Sequence, residues 1–426
     1  MESKKEPREY GQEQSENQEE YSFLQETIKR EPVTGKMIVS HLGKIAICGA
    51  IFGIMACVSF CALKPWAEEN FQRDSSKVEI PKDEEEETDG ESKEAKEAVA
   101  PELTVESLEK MQSVLYSVAR EAEHSVAEIR GIHGNEGWIR ESFDTVNSVS
   151  GVIIADTGSQ LLILADNSIV ENSESFTVTF DEHSTYDIQL RKQDKNLGIG
   201  IFGIEKSSMK SGTLSHVKPI PLGNSHLTRR GEIVMAIGKP LGYSGSYGYG
   251  AVSSVSESIS PADGNYGLIL TDIPGSENGT GILLNTEGEM IGLIQHRITS
   301  GEHVTVTNAL AISDLKPMLE LLSNNQGVPY VGIYGTDVTE QVEKEQGIPM
   351  GVYVKNVEAE SPAMSAGIQA GDVITKVGKT KVSTLDAYQN AILESASGEE
   401  VILYGKRKGN EGYVEIEFQV TIGSRE

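Results

Sequence analysis

The sequence is poor in cysteine and in positive charge. It holds three cysteines among 426 residues, and Cys48, Cys57 and Cys61 all lie in one apolar run. A disulfide framework or a cysteine-based metal site is therefore excluded after residue 66. Lysine and arginine number 37 against 65 aspartates and glutamates, which gives a net charge of −28. This acidic balance argues against a nucleic-acid-binding protein, which needs a basic face.

What the sequence has in quantity is glycine and short apolar runs. The 43 glycines favour turn-rich β structure over helical bundles. A length of 426 residues suggests two or three folded units at about 150 residues each. We therefore expect a multidomain, mainly β protein.

Residues 45–63, IAICGAIFGIMACVSFCAL, form a run of 19 residues without a charge. At about 1.5 Å per residue, a helix of this length spans roughly 28 Å, close to the hydrocarbon thickness of a bilayer. Lys44 and Lys64 flank the run, and Trp66 lies just beyond it. The pattern predicts one transmembrane helix. The alternatives are a buried helix of a globular domain and a cleaved signal peptide, which fits poorly because over 40 residues precede the run.

The segments on either side of this run are polar. Residues 1–44 are predicted to form a polar tail. Residues 64–103, which include DEEEETDGESKEAKEA, are predicted to form an acidic, disordered stalk. Lysines and arginines within about 15 residues of the run number three on each side. Charge alone therefore leaves the orientation in the membrane open.

From Thr104 onward the pattern is that of folded domains. Thr104 is a plausible N-cap for a helix whose apolar residues recur at helical spacing. Short apolar runs broken by glycine, asparagine and aspartate follow, which is typical of a β-barrel or sandwich. Residues 312–322 are predicted to be helical, and the stretch 324–327, Asn-Asn-Gln-Gly, marks a boundary. Residues 328–423 then form a separate α/β unit.

This last unit resembles a bacterial-type PDZ domain over nearly its full length. The resemblance rests on Ser-Pro-Ala at 361–363, Ala-Gly-Ile at 366–368 and Gly-Asp-Val-Ile at 371–374, in order and at the usual spacing. It implies a domain that binds peptides by β-augmentation and captures the C-terminal carboxylate with backbone N–H groups. The implied capturing loop is Tyr330, Val331, Gly332 and Ile333.

The opposite wall of the implied groove is the helix that carries Tyr388 and Ile392, an i,i+4 pair on one face. The alternative for both residues is an ordinary place in the core.

Residues 104–325 are similar to the protease domain of HtrA-type, trypsin-like serine proteases, with an added N-terminal helix. The matching segments are VSGVIIADTGSQLLILADNSIVENSESFTVTF, LGNSHLTRRGEIVMAIGKPLGYSGSYGYGAVSSV and LTDIPGSENGTGILLNTEGEMIGLI. The resemblance implies a trypsin-like double β-barrel followed by the α/β PDZ domain. It also implies that the folded domains lie outside the cytoplasmic membrane and that the polar tail, residues 1–44, lies on the cytoplasmic side.

The residues at the three positions of the family's catalytic triad differ from the family pattern. Ser168 stands at the histidine position, Gly198 at the aspartate position and Gly279 at the serine position. A serine nucleophile needs a base, and the base needs an orienting acid, so these positions cannot form a triad.

Displaced groups could in principle substitute. Ser276 and Thr280 flank the nucleophile position, and Asp166 and Asp194 lie near the other two. Five histidines are candidate bases, and none of them lies in a matching motif (His183, His216, His226, His296 and His303). The stretch 223–225, Gly-Asn-Ser, resembles a nucleophile motif but lacks the following Gly-Gly. We interpret it as a structural turn.

The sequence thus predicts a single-pass, membrane-anchored pseudoprotease that binds peptide C-termini or unfolded segments, in protein quality control or in regulating active relatives. No cofactor, metal or nucleic acid is expected. A homotrimer, or a hetero-oligomer with active HtrA-type relatives, is implied by the resemblance. The alternative is an active serine endopeptidase that degrades misfolded extracytoplasmic proteins. A third hypothesis, a transmembrane sensor, is disfavoured because the N-terminal tail contains no recognisable signalling domain.

Overall fold

A computed structural model describes residues 77–83, 104–132, 148–171, 173–180, 183–295 and 306–425. All of them belong to one compact unit, Ser75–Glu426. The predicted span 45–63 and the three cysteines lie outside the described residues. Within the described ranges, no helix is both long enough and apolar enough to cross a membrane.

Helix α1, Val105–Glu123, begins where the sequence predicts a cap. The side chain of Thr104 accepts a hydrogen bond from Ser107 N, and the Ser107 hydroxyl accepts one from Thr104 N, which together make a capping box. Only the end of the helix is buried, at Ala119 and Ala122. The prediction of an N-terminal helix capped by Thr104 is confirmed.

Six antiparallel strands form the first closed barrel, in the order β1-β2-β3-β6-β5-β4. Their sequences are rich in β-branched and aliphatic residues, which suit a pleated surface buried on at least one side. Strand β3 is buried on both faces: Leu161 and Ile163 point into the barrel, and Leu162 and Leu164 into the core shared with the second barrel. This two-sided burial explains its continuous apolar run. The strands are β1 Val126–Ile132, β2 Ser148–Asp156, β3 Gln160–Asp166, β4 Ser175–Thr179, β5 Thr185–Asp194 and β6 Ile199–Glu205.

The second barrel also closes from six antiparallel strands, in the order β10-β11-β12-β9-β8-β7. Helix α2, Ser211–Leu214, lies in the connection between the barrels, and helix α3, Ile312–Ser323, follows the last strand. Aliphatic residues of α3 are fully buried in the core between the barrels. The strands are β7 Ile233–Lys239, β8 Ser246–Ile259, β9 Tyr266–Pro274, β10 Thr280–Leu284, β11 Met290–Ile294 and β12 Val306–Ala311.

The C-terminal unit has its own core, a five-strand sheet path and a two-strand ribbon. The sheet order is β14-β15-β16-β18-β19, with β17 beside β16, and β13 pairs with β20. The strands are β13 Val328–Tyr330, β14 Ile333–Asp337, β15 Val352–Val357, β16 Val373–Val377, β17 Thr380–Lys381, β18 Glu400–Gly409, β19 Gly412–Thr421 and β20 Gly423–Arg425. The helices are α4 Glu340–Gln346, α5 Pro362–Ser365 and α6 Leu385–Leu393. The predicted mainly β architecture, a double barrel followed by an α/β unit, is confirmed.

One part of the predicted stalk differs from the expectation of a free linker. In residues 77–83, Val78 and Ile80 are buried against the core shared by the barrels. The Asn324 side chain accepts a hydrogen bond from Val78 N and donates one to Val78 O, both at 2.9 Å. The short segment is therefore held to the barrels by two buried apolar side chains and by the hydrogen bonds of the Val78 backbone. The acidic residues around it, in contrast, predict a solvated chain.

Candidate functional site

Ser168 and Gly198 lie side by side where strands β3 and β6 meet. Ser168 is in a 3-10 turn directly after β3, and its backbone N–H donates to Asp166 Oδ1 at 2.8 Å. The backbone N–H of Asn167 donates to Gly198 O at 2.9 Å. The structure therefore brings the two predicted triad positions together, but neither supplies a base or an acid.

Gly198 also links the two barrels. Its carbonyl oxygen accepts a hydrogen bond from Gln295 Nε2 of the second barrel at 3.1 Å. Its φ of +75° lies in the left-handed region, which favours glycine. The nearby Asp194 is buried and uses Oδ1 to accept from Leu197 N at 2.7 Å. That oxygen of Asp194 fixes the turn into β6.

Gly279 lies in the turn before β10, where the backbone is closely packed. A Cβ atom at this position would be 2.8 Å from Pro240 O and 2.9 Å from Ser276 O. These separations are well inside ordinary van der Waals contact, so a serine requires the backbone to shift. A serine at position 279 therefore fits only if this turn rearranges.

The candidate replacements are engaged in structural contacts. Thr280 is buried, and its Oγ1 accepts a hydrogen bond from Ser150 N at 2.9 Å, which links β10 to β2 of the first barrel. The Ser276 hydroxyl accepts from Asn278 N at 3.4 Å within its own turn. His216 bonds to Gly212 O at 2.7 Å, whereas His296 and His303 lie outside the described residues.

A buried hydroxyl–amine pair connects the barrels and was not predicted from the sequence. Lys239 Nζ donates to both Ser148 Oγ and Ser148 O at 2.9 Å. Burial lowers the pKa of this lysine. A serine beside a lysine can act as a nucleophile with its base. Here, however, Lys239 is 2% and Ser148 is 7% exposed, so a polypeptide substrate cannot reach them and the contact ties β7 to β2.

The predicted carboxylate-capturing loop has the geometry of an anion site. It runs from Tyr330 at the end of β13 to Ile333 at the start of β14. Gly332 has φ +97°, and a Cβ there would lie 2.4 Å from Ser361 Cβ. Only glycine fits this close approach, and the turn points successive N–H groups to the same side.

An acidic side chain of the second barrel occupies this loop. Asp263 lies in the loop between β8 and β9, and its Oδ2 accepts from Val331 N at 2.9 Å and Gly332 N at 2.6 Å. Its Oδ1 accepts from Ile333 N and from the Tyr388 hydroxyl, both at 2.9 Å. The carboxylate is buried and has four donors.

The remaining predicted site residues lie beside the Asp263 carboxylate or in the core of the C-terminal unit. Tyr388 is fully buried in the core of the C-terminal unit and reaches Asp263 with its hydroxyl. Ile392 is 1% exposed and packs in the same core. The Tyr330 ring stacks on Arg425 at 4.1 Å, and its hydroxyl donates to Glu358 at 2.9 Å.

Opposing effects act on the ionisation of this cluster. Burial raises the pKa of Asp263, whereas the N–H groups of Ile333 and Gly332 and the charge of Arg425 oppose that rise. Burial, followed by the Asp263 charge, holds the pKa of Tyr388 well above 10. Burial and Glu358 raise the pKa of Tyr330 to about 12. Both tyrosines therefore remain hydrogen-bond donors near neutral pH.

Sequence reasoning missed Asp263 and Arg425. Residues 261–264, Pro-Ala-Asp-Gly, read as a turn, but nothing in them indicates a partner about 70 residues away. Within the described residues, no group of three histidine, cysteine or acidic side chains is placed to hold a metal ion.

Family models match both parts of the chain. Residues 149–293 match the trypsin-like peptidase domain, and residues 329–418 match the PDZ domain.

Several curated proteins are similar to the chain. The serine protease Do-like HtrA of Bacillus subtilis is 30% identical over 286 residues, 62% of each protein. HtrB of the same organism is 29% identical over 282 residues, 61% of this chain and 59% of the relative. The periplasmic serine endoprotease DegP of Escherichia coli K12 is 27% identical over 298 residues, 68% of this chain and 60% of the relative. The chain spans about three fifths of the length of these relatives.

Solved structures share the fold. The HtrA-type protease AlgW with a decapeptide superposes with a TM-score of 0.53 at 18% identity, covering 73% of this chain and 99% of that one. A serine endoprotease from Yersinia pestis gives a TM-score of 0.50 at 20% identity, covering 73% and 98%. At these identities the likeness shows the fold alone.

Proposed function

We propose that this chain is a member of the HtrA-type serine protease family, with a trypsin-like peptidase domain followed by a PDZ domain, and that it binds peptide C-termini through the PDZ domain and does not cleave peptides. The observation that carries this proposal is the loop Tyr330–Ile333, whose last three N–H groups converge on a carboxylate. A site with this geometry is suited to a peptide's terminal carboxylate.

The binding mechanism follows from the loop and the strand beside it. The three amides hold the carboxylate by charge-assisted hydrogen bonds, which are stronger than neutral ones. A peptide that enters this way lies between strand β14 and helix α6, and adds as a strand to the edge of β14. Tyr388 then contributes a hydroxyl at the carboxylate, and Ile392 supports the helix from the core.

The absence of a working triad supports the second half of the proposal. Ser168 and Gly198 are adjacent but cannot relay a proton, and Gly279 is packed against two carbonyl oxygens. Thr280 Oγ1 already accepts a hydrogen bond from the first barrel. The barrels then serve as a scaffold that retains the protease shape.

For the whole chain we propose a single-pass membrane protein with its folded domains outside the cytoplasmic membrane. The uncharged run 45–63 and the family resemblance support this placement. Its ligands would be exposed C-termini or unfolded segments, and its partners copies of itself or active relatives, in protein quality control. Alkaline phosphatase fused after residue 103 should be active in a bacterial host. An inactive but stable fusion would refute the orientation.

A labelling experiment tests the lack of cleavage. The purified full-length chain is incubated with unfolded casein and with a fluorophosphonate probe, and we expect neither fragments nor labelling. Ser148→Ala, Ser276→Ala and Thr280→Val are matched variants that each remove one hydroxyl. Labelling or cleavage that disappears in any one of them would establish the alternative, an active serine endopeptidase. Activity unchanged in all three would indicate a contaminating protease.

A titration tests the binding site. Decapeptides ending in valine, leucine, isoleucine, phenylalanine or alanine are compared with their C-terminally amidated forms by fluorescence polarisation. We expect the free carboxylate to be required for binding, because an amidated terminus offers the amides of Val331, Gly332 and Ile333 only a neutral acceptor, which forms weaker hydrogen bonds than a charged one. Equal affinity for amidated and free peptides would refute the assignment of the loop.

A further inference from the structure

Asp263 contacts the PDZ domain as a peptide terminus would. Its carboxylate accepts the N–H groups of three consecutive loop residues, and its own N–H donates to Ile333 O at 2.8 Å. Ile333 opens strand β14, the strand to which a peptide would add. A carboxylate in the loop and a backbone hydrogen bond to the adjoining strand are the two elements of peptide capture by β-augmentation.

Neighbouring contacts hold the residues around Asp263 against the same domain. Asn265 N donates to Gln389 Oε1 at 2.8 Å, and Asn265 Nδ2 donates to Asp386 Oδ1 at 3.0 Å, both on helix α6. From the other side, Arg425 donates to Ala262 O at 3.1 Å. The loop 260–265 therefore contacts both the helix and the C-terminal strand that border the carboxylate site.

The backbone at Asp263 is unusual for a residue with a side chain. Its φ is 60°, in the left-handed region that non-glycine residues seldom adopt. Such a conformation persists only where the surrounding contacts favour it. Here the four donors to the carboxylate and the bond from Asp263 N to Ile333 O provide them.

We propose that Asp263 is an internal ligand of the PDZ domain, and that a peptide C-terminus binds only by displacing the loop 260–265 from the site. This proposal rests on the proposed function, since it describes what regulates access to that same site. One carboxylate at a time fits the three N–H groups of Val331, Gly332 and Ile333, so the barrel loop and a peptide compete directly. Peptide binding thereby releases a contact between the protease-like domain and the PDZ domain.

Peptide titration of variants tests the competition. Asp263→Asn keeps the shape and suits a left-handed backbone, but it removes the charge that the loop binds. Asp272→Asn is the matched control, because Asp272 lies on the following strand and its Oδ1 accepts from Ala251 N at 2.6 Å. In the full-length chain, we expect Asp263→Asn to bind the free-carboxylate decapeptides at least tenfold more tightly than wild type. Asp272→Asn should match wild type.

Amide hydrogen exchange measures the internal contact without any peptide. The N–H groups of residues 331–333 should be protected in wild type and in Asp272→Asn, and should exchange at least tenfold faster in Asp263→Asn. Asp263→Gly, which also tolerates a positive φ, provides a second variant should the asparagine retain part of the contact.

The outcomes separate the two proposals. Unchanged peptide affinity and unchanged exchange in both Asp263 variants would overturn the internal ligand and leave peptide binding intact. Faster exchange with no peptide bound by any form would keep the internal contact and refute peptide binding as the function. Tighter peptide binding together with faster exchange in the Asp263 variants, but not in Asp272→Asn, supports the inference.

Discussion

Gly279 offers a direct test of whether the barrel can accommodate a nucleophile. An added Cβ would approach Pro240 O to 2.8 Å and Ser276 O to 2.9 Å, whereas ordinary contacts begin near 3.4 Å. Two backbone segments must therefore each move by about 0.5 Å. Overpacking of this kind typically costs about 1–3 kcal/mol. We expect Gly279→Ala to lower the free energy of unfolding by that amount.

Gly212→Ala is the matched control. Gly212 lies in helix α2, and a Cβ there would have no atom within 4 Å. Replacing glycine by alanine at a compatible position stabilises a protein by about 0.4–1 kcal/mol, because the unfolded chain loses freedom. The two variants carry the same chemical change, so they should shift the urea unfolding midpoint in opposite directions. Circular dichroism follows both transitions.

The result has a functional consequence. If the free energy of unfolding of Gly279→Ala lies within about 0.5 kcal/mol of the wild-type value, the turn does have room for a side chain. A steric clash at position 279 would then no longer count against a nucleophile there. If Gly279→Ala is destabilised as expected, the combined change Ser168→His, Gly198→Asp and Gly279→Ser should not restore casein cleavage. Gly198 adds to the difficulty, since its φ of +75° strains an aspartate there.

Three further predictions concern stability. The hydrogen bond that His226 donates to the Asp314 carboxylate raises the pKa of His226 above 6.5. The stabilising contribution of this pair is therefore present below pH 6.5 and is lost as the pH rises through the raised pKa. Thermal unfolding across the neutral range should show this decline, of under about 1 kcal/mol, and His226→Gln should abolish it. Asp372→Ala should lower the free energy of unfolding, measured in urea, by about 3 kcal/mol, because the Arg407 guanidinium loses both of its hydrogen bonds to the Asp372 carboxylate. A decrease of less than about 1 kcal/mol would contradict this. Asn324→Ala should expose the extended segment 77–83 to limited proteolysis, and an unchanged cleavage rate would show that other contacts hold it.

Local sequence signals predicted the elements and their order. The alternation and length of the apolar runs indicated strands, and Thr104 marked a helix start that the structure confirms. The structure also explains the role of the aspartate in the Gly-Asp-Val-Ile stretch at 371–374. Asp372 is 1% exposed and pairs with Arg407 of β18 across the sheet, which fixes the turn before β16.

Contacts between distant elements could not be predicted. The Lys239–Ser148 pair joins residues 91 positions apart, and Asp263 meets residues about 70 positions later. Both depend on how one barrel is placed against the other barrel or against the PDZ domain, which no local pattern encodes. The sequence predicts residues 77–83 to be part of a linker for the same reason, since the contacts of Val78 with Asn324 span 246 positions.

An internal ligand changes what the measured affinity of the PDZ site would mean. A group tethered near its site acts at an effective concentration of about millimolar for a short flexible connection, and Asp263 is tethered by the paired strands β8 and β9. A peptide must therefore bind the empty loop well enough to overcome this competitor, and its apparent dissociation constant rises in inverse proportion to the fraction of loops that are empty. Weak binding in the full-length chain would then reflect competition by the barrel loop and not a poor site. Under this proposal, the second barrel has a role of its own, which is to present Asp263 to the PDZ domain.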